Sequence, residues 1–220
     1  MNMIFLEDDL IIRNNYSLYL KKFFENVFET SSGIEALEIL EKENIDFIIA
    51  DIEMQTMNGL DFIKKVRNIN KDIIVIIMSA YDKKEYLMEA IKLGLFEYLI
   101  KPVSRDTFQT IIFEVINKIK EKNKIFLKND FIWDKKYEKL FYLEDEIKLT
   151  KSEMLLFKEF CGQNEKIFTF EDISELLYPF EEFNINKIRM LIKRIKKKLN
   201  HTDTLENIHN LGYKFKNKKI

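Results

Sequence analysis

The stretch IDFIIAD, residues 45–51, decides the fold. Ile45, Phe47, Ile48, Ile49 and Ala50 form a short, nearly continuous apolar run. This is the pattern of a strand buried on both faces, as in a parallel sheet covered by helices. The run ends on a carboxylate, Asp51. A charge at the carboxyl end of such a strand sits at the rim where open α/β folds place their sites. Other apolar runs end in the same way. MIFLEDD (3–9) leads into Glu7, Asp8 and Asp9, IIVIIMS (73–79) ends on Ser79, and FEYLIK (96–101) ends on Lys101. Strands ending at one rim gather an acidic cluster, a hydroxyl and a lysine.

Working outward, strands are expected at Met3–Leu6, Val27–Thr30, Asp46–Ala50, Ile73–Met78 and Phe96–Ile100. Amphipathic helices alternate with them. The first runs from Leu10 to about Phe24, with Ile11, Leu18 and Leu20 among its apolar positions. The second carries Ile34, Leu37, Ile39 and Leu40 behind a cap at Ser31 or Ser32. The third starts at Gly59, with Leu60, Ile63 and Val66 inward. The fourth, Lys83–Leu93, stops at Gly94. The fifth runs from about Arg105 to Lys120. Five β-α units with short loops imply an α/β domain over residues 1–120, three layers around a parallel sheet.

Residues 121–130, EKNKIFLKND, are charged and without clear period, and read as a linker. Beyond them the pattern changes. Residues 131–149 hold short alternating pieces. Thr150 and Glu153 form a capping box ahead of a helix with Leu155, Leu156 and Phe160 on its apolar face. A second helix starts near Thr169–Asp172 and stops before Pro179. A third runs from Asn184 or Asn186 to Leu199, burying Ile188, Leu191, Ile192, Ile195 and Leu199. Its other face carries Arg189, Lys193, Arg194, Lys196, Lys197 and Lys198. Segments 204–208 and 213–215 flank Leu211-Gly212 as a hairpin. Three helices and a hairpin over residues 131–220 resemble an α+β winged helix-turn-helix.

Composition narrows the function. One cysteine, Cys161, excludes an internal disulfide and an all-cysteine zinc site, and two histidines are too few for a histidine metal centre. No apolar run is long enough to span a membrane, and the first strand runs straight into acids without a basic leader, so a cytoplasmic location is expected. The five glycines are isolated and build no phosphate-cradling loop. Formal net charge is −1, yet residues 1–120 carry 20 acids and 15 bases, whereas residues 184–220 carry 11 bases and 2 acids. Such a tail suits nucleic-acid phosphates; a solvated lysine-rich end has the same composition.

Two or three rim carboxylates without histidine suit a hard divalent cation such as Mg²⁺. A cation there would neutralise the acids and assist phosphoryl transfer to one carboxylate, with Lys101 pairing the phosphoryl oxygens and Ser79 hydrogen-bonding them. A metal hydrolase, or simply solvated strand-end acids, fits the same residues.

With EDD at 7–9, DIEMQTMNG at 51–59, Ser79-Ala80, and Tyr98 three residues before Lys101-Pro102, the first 120 residues resemble the receiver domain of two-component response regulators, a five-stranded parallel sheet in flavodoxin-like order. The resemblance implies that Asp51 is the phosphoacceptor, taking its phosphoryl group from a sensor histidine kinase. It implies that Glu7, Asp8, Asp51 and the backbone carbonyl of Glu53 bind Mg²⁺, that Ser79 senses the phosphoryl group, that Lys101 pairs with it, and that Tyr98 is the switch aromatic. Glu53 and Tyr81 flank the path of the attacking water. Asp9 is expected to face solvent or cap the first helix. Gln55 replaces the family's usual proline, which bears on loop stiffness rather than ligation. Slow self-phosphorylation and self-dephosphorylation are then the only catalysis expected.

The last 90 or so residues resemble the winged-helix DNA-binding domain of OmpR-like regulators, through LTKSEMLLFKEF (149–160), INKIRMLIKRIKKKL (185–199) and LENIHNLGYKF (205–215). The resemblance implies double-stranded DNA as partner, read by the basic helix and the hairpin. Arg189, Lys193 and Lys196 or Lys197 are candidates for base edges; Arg194, Lys198, Lys214 and Lys216 are candidates for phosphates. His201 is expected to cap the helix or lie in solvent. Tyr178-Pro179 stands where the family usually has tryptophan, and Arg189 and Leu191 stand where its third helix usually has an acid and a histidine, so the DNA sequence read is expected to be atypical. The family dimerises through the helix 4–strand 5–helix 5 face. Its usual charged positions fall here on Ile111, Phe113, Phe96 and Glu97, so an apolar homodimer interface at Ile111 and Phe113 is expected.

The leading reading is a sequence-specific transcription regulator switched by phosphorylation of Asp51. The alternatives are a constitutively dimeric, phosphorylation-independent regulator, a metal-dependent phosphatase, and a receiver whose tail binds protein such as RNA polymerase.

Overall fold

A computed structural model describes residues 1–54, 57–163, 165–200 and 203–216. Gln55 and His201 lie outside the described residues. The chain divides into two units, residues 1–119 and 120–220.

The first unit runs β1 (Asn2–Leu6), α1 (Leu10–Leu20), β2 (Asn26–Thr30), α2 (Gly33–Lys42), β3 (Phe47–Asp51), α3 (Gly59–Ile69), β4 (Ile74–Ser79), α4 (Lys84–Lys92), β5 (Glu97–Ile100) and α5 (Arg105–Lys122). Its five strands are parallel, in the order β2-β1-β3-β4-β5. Alternate strand residues face opposite sides. Met3, Phe5, Phe47, Ile49, Ile76 and Met78 pack with Leu20 of α1 and Phe108, Ile112 and Val115 of α5. Ile4, Leu6, Ile48, Ala50, Val75 and Ile77 pack with Ala36 of α2 and Leu60, Phe62, Ile63 and Val66 of α3. β3 is buried along its whole length, as IDFIIAD implies.

Of the apolar positions of α1, only some face inward. Ile11 and Leu18 are exposed, while Ser17 and Leu20 are buried. The reason is aromatic. Tyr16 and Tyr19 lie 4.8 Å and 5.9 Å from the ring of Phe108, so the Tyr16–Leu20 stripe is the one that docks. The helix also ends at Leu20, and Phe24 beyond it stacks on Phe47.

The second unit opens with β6 (Lys124–Phe126), β7 (Phe131–Asp134), β8 (Lys139–Tyr142) and β9 (Asp145–Ile147), an antiparallel sheet in chain order. The expected linker at 121–130 is therefore largely structured: α5 continues to Lys122, and Ile125 pairs with Trp133 across β6 and β7. Three helices follow, α6 (Lys151–Gly162), α7 (Phe170–Leu177) after β10 (Ile167–Thr169), and α8 (Ile185–Lys198). Capping boxes start two of them, Thr150 with Glu153 and Thr169 with Asp172. The hairpin β11 (Leu205–Ile208) and β12 (Gly212–Phe215) pairs with β10 in the order β10-β12-β11. One core joins Trp133, Leu156, Phe157, Phe160, Ile173, Ile188, Leu191, Ile195 and Phe215. Among the described residues no helix is long and apolar enough to cross a membrane.

Candidate functional site

The carboxyl ends of β1, β3, β4 and β5 bring the expected residues of the first unit together. Asp51 ends β3 and is 8% exposed; Glu7 follows β1 and is 1% exposed. Carboxylate oxygens of Glu7, Asp8 and Asp51 lie within 4.8 Å of one another. Lys101, just beyond β5, donates from Nζ to Glu7 Oε2 at 2.6 Å and to Asp51 Oδ2 at 2.9 Å. Burial raises the Glu7 pKa, and the Lys101 ammonium offsets this only in part, with Asp51 adding repulsion. Burial works against the Lys101 charge, but its hydrogen bonds to Asp51 and Glu7 outweigh that and hold its pKa above the ordinary value. A set of oxygen donors without imidazole or thiolate fits a hard divalent cation.

Ser79 is fully buried at the end of β4, its Oγ accepting from the Tyr81 N–H at 3.1 Å. The Ser79 carbonyl accepts from the Lys101 N–H, which ties the ends of β4 and β5. The Tyr98 hydroxyl donates to the Tyr81 carbonyl at 2.8 Å, on the Ser79-Tyr81 loop. The Glu53 side chain is exposed, and its N–H lies 3.4 Å from Asp51 Oδ1. Asp9 caps α1, accepting from the N–H groups of Ile11 and Ile12.

In the second unit α8 presents Arg189, Lys193, Arg194 and Lys197 exposed. Among the described residues, Arg189, Lys193 and Lys197 have no carboxylate partner within ion-pair range. The other expected DNA contacts are engaged within the unit. Lys198 donates to Glu153 Oε2 and to the Lys148 carbonyl; Arg194 Nε lies 3.7 Å from Glu153 Oε1. Lys214 pairs with Glu165 and Lys216 with Glu206. Lys196 lies over the ring of Tyr213.

Residues 3–113 match the response regulator receiver domain, and residues 144–215 match the C-terminal domain of transcriptional regulatory proteins. The chain belongs to the two-component response regulators, with an OmpR-type DNA-binding output domain. The heme response regulator HssR of Staphylococcus aureus is 27% identical over 96% of this chain and 96% of its own length. ZraR, a transcriptional regulatory protein of Escherichia coli, is 31% identical over 51% of this chain, which spans only 25% of ZraR. An N-terminal domain from Wolinella succinogenes shares the receiver fold, with a TM-score of 0.52 at 24% identity over 56% of this chain and 98% of that domain.

One interface assignment for this response regulator, Ile111, needs correction. Ile111 is 9% exposed and packs into the core beside Phe108 and Ile112, because it lies on the sheet-facing stripe of α5. Phe113 is exposed, and its ring meets Phe23 beyond α1 at 5.4 Å. Sequence reasoning also missed three residues that hold the site. The Arg13 guanidinium donates to the backbone carbonyls of Glu7 and Asp8, fixing the acidic loop; a base one turn after the Asp9 cap was the available signal. A Cβ on Gly59 would lie 2.0 Å from the Asp51 carbonyl, so only glycine lets α3 start so close to the end of β3. Glu153, legible only as a cap, also anchors the end of α8.

Proposed function

We propose that this response regulator is a transcription regulator whose Asp51 accepts a phosphoryl group from a histidine kinase in an Mg²⁺-dependent reaction. The observation that carries the reading is the Lys101 ammonium bridging Glu7 and Asp51 at a rim where three carboxylates converge. Glu7, Asp8 and Asp51 would hold the cation, with the Glu53 carbonyl as a further ligand. When bound, Mg²⁺ supplies positive charge against the carboxylates and the incoming phosphoryl oxygens.

An Asp51 carboxylate oxygen attacks phosphorus, the phosphorus–nitrogen bond of the phosphohistidine breaks, and the imidazole nitrogen keeps the electron pair. Lys101 neutralises charge on the transferring group, a contribution of the preorganised electrostatic kind. Ser79 offers its hydroxyl to the acyl phosphate, giving up the Tyr81 N–H, and Tyr98 changes its place on the Tyr81 carbonyl as that loop moves. Attack by water on phosphorus later returns the Asp51 carboxylate and releases phosphate, at a rate shaped by Glu53 and Tyr81.

The output domain binds duplex DNA through α8, with Arg189, Lys193 and Lys197 as its available cations. A homodimer through α4, β5 and α5 would bury the exposed apolar side chains Leu87, Ile91, Ile100 and Phe113 rather than Ile111. Intact mass with acetyl phosphate and Mg²⁺, alongside solution mass, tests the switch. The expected result is one added phosphoryl group, absent in D51N, with a shift to dimer. A phosphoryl group that persists in D51N, or none in the wild type, overturns the assignment of Asp51.

A further inference from the structure

α8 buries four of its six apolar positions. Ile188, Leu191, Ile192 and Ile195 are at most 2% exposed and Ile185 is half-buried, whereas Met190 is 63% exposed. At about 100° per residue, Asn186, Met190, Lys193 and Lys197 fall within roughly 40° of the direction opposite the buried stripe, while Arg189 and Arg194 lie about 60–80° to either side. Neither arginine is at the centre of the outward face. Arg189 sits over the ring of Phe170 at 5.7 Å, and Arg194 leans toward Glu153. The centre holds an amide, a thioether and two lysines.

We propose that Asn186 and Met190 are specificity-determining residues, Met190 meeting the methyl group of a thymine and Asn186 an adenine, so that the site bound carries an A·T-containing core step. This rests on the DNA-binding reading above. A helix in the major groove reads bases mainly from its N-terminal part, and Asn186 and Met190 lie in the first two turns of α8. An amide matches the N6 donor and N7 acceptor of adenine, and an apolar group matches the C5 methyl of thymine. Among the described residues Met190 is otherwise an apolar side chain left 63% exposed to water, flanked by cations suited to phosphates. Residues four apart on a helix are separated by about 6 Å along its axis, so the two contacts address bases one or two steps apart.

The experiment selects duplexes from a random pool with the full-length chain, treated with acetyl phosphate and Mg²⁺. Each thymine of the enriched site is then replaced singly by deoxyuridine, which removes only the methyl group. The expected result is one thymine whose replacement weakens wild-type binding about four-fold, the effect of one buried methyl. Met190→Ala loses that sensitivity, and Asn186→Ala loses the preference for adenine at a neighbouring position. Because the deoxyuridine series uses unaltered protein, it does not depend on how the variants fold. An enriched site bound equally well with every deoxyuridine overturns the proposal and leaves DNA binding intact, as does salt-sensitive binding with no enriched sequence. Binding to no duplex overturns the DNA-binding reading, and this proposal with it.

Discussion

Replacing Glu153 by glutamine removes one charge from the output domain and keeps the side chain's shape. The carboxylate is 1% exposed. It accepts from Lys198 Nζ at 2.6 Å and from the Thr150 N–H at 2.8 Å. Burial works against its charge, but Lys198 and the Thr150 hydrogen bonds outweigh that and hold its pKa below the ordinary value of 4.5. Removing one partner of a buried pair costs about 3–5 kcal/mol when the other charge stays dry. Lys198 is 30% exposed, so its orphaned ammonium can reach water and the cost falls to about 2 kcal/mol. With a urea slope of about 1–1.5 kcal/mol/M for a unit of this size, the unfolding midpoint drops by about 1.3–2 M. Trp133 is the only tryptophan and is buried in the core of this unit, so its fluorescence follows the output domain within the intact chain. The difference between wild type and E153Q must also depend on pH. Glu153 binds its proton less readily folded than unfolded, so its contribution is complete well above pH 4.5 and is lost as pH falls through the depressed folded value. The reasoning is refuted by equal midpoints at pH 7, or by a difference that stays the same when the pH is taken well below 4.5.

K101M removes the ammonium between Glu7 and Asp51 and is expected to slow labelling by acetyl phosphate about 100-fold, read by intact mass over time. I111R buries a guanidinium beside Phe108 and Ile112 and is expected to cost the receiver more than about 4 kcal/mol, whereas F113R costs about 1 kcal/mol; urea unfolding followed by far-ultraviolet circular dichroism separates the two. K193A is expected to lower the slope of log affinity against log salt by about one, the loss of one phosphate contact, while K198A leaves that slope unchanged and shifts the unfolding midpoint; salt titration of duplex binding reads the first and Trp133 fluorescence the second.

Much of the fold is legible because apolar period and strand-end chemistry are local. IDFIIAD announces a strand buried on both sides, and the residues ending four such runs meet once the strands are parallel. The Thr150 capping box and the buried stripe of α8 are legible for the same reason: each is written within one helix. The sequence is ambiguous where a local pattern has two solutions. α1 carries one apolar stripe through Ile11 and Leu18 and another through Tyr16 and Leu20, and only Phe108, far along the chain, selects between them. α5 likewise has apolar residues on more than one side, and the sheet takes Ile111 inward.

The sequence by itself determined the two-unit architecture, the rim position of Asp51 with its acids and lysine, and the basic face of α8. Only the tertiary structure decided which of those bases remain available. Lys198 is spent on Glu153, 45 positions away, and Lys214 and Lys216 on Glu165 and Glu206. It also left Met190 exposed on the outward face. The physical reason is that periodicity assigns a residue to a face, whereas a charge's partner and an apolar group's cover come from segments that meet only when the chain is folded.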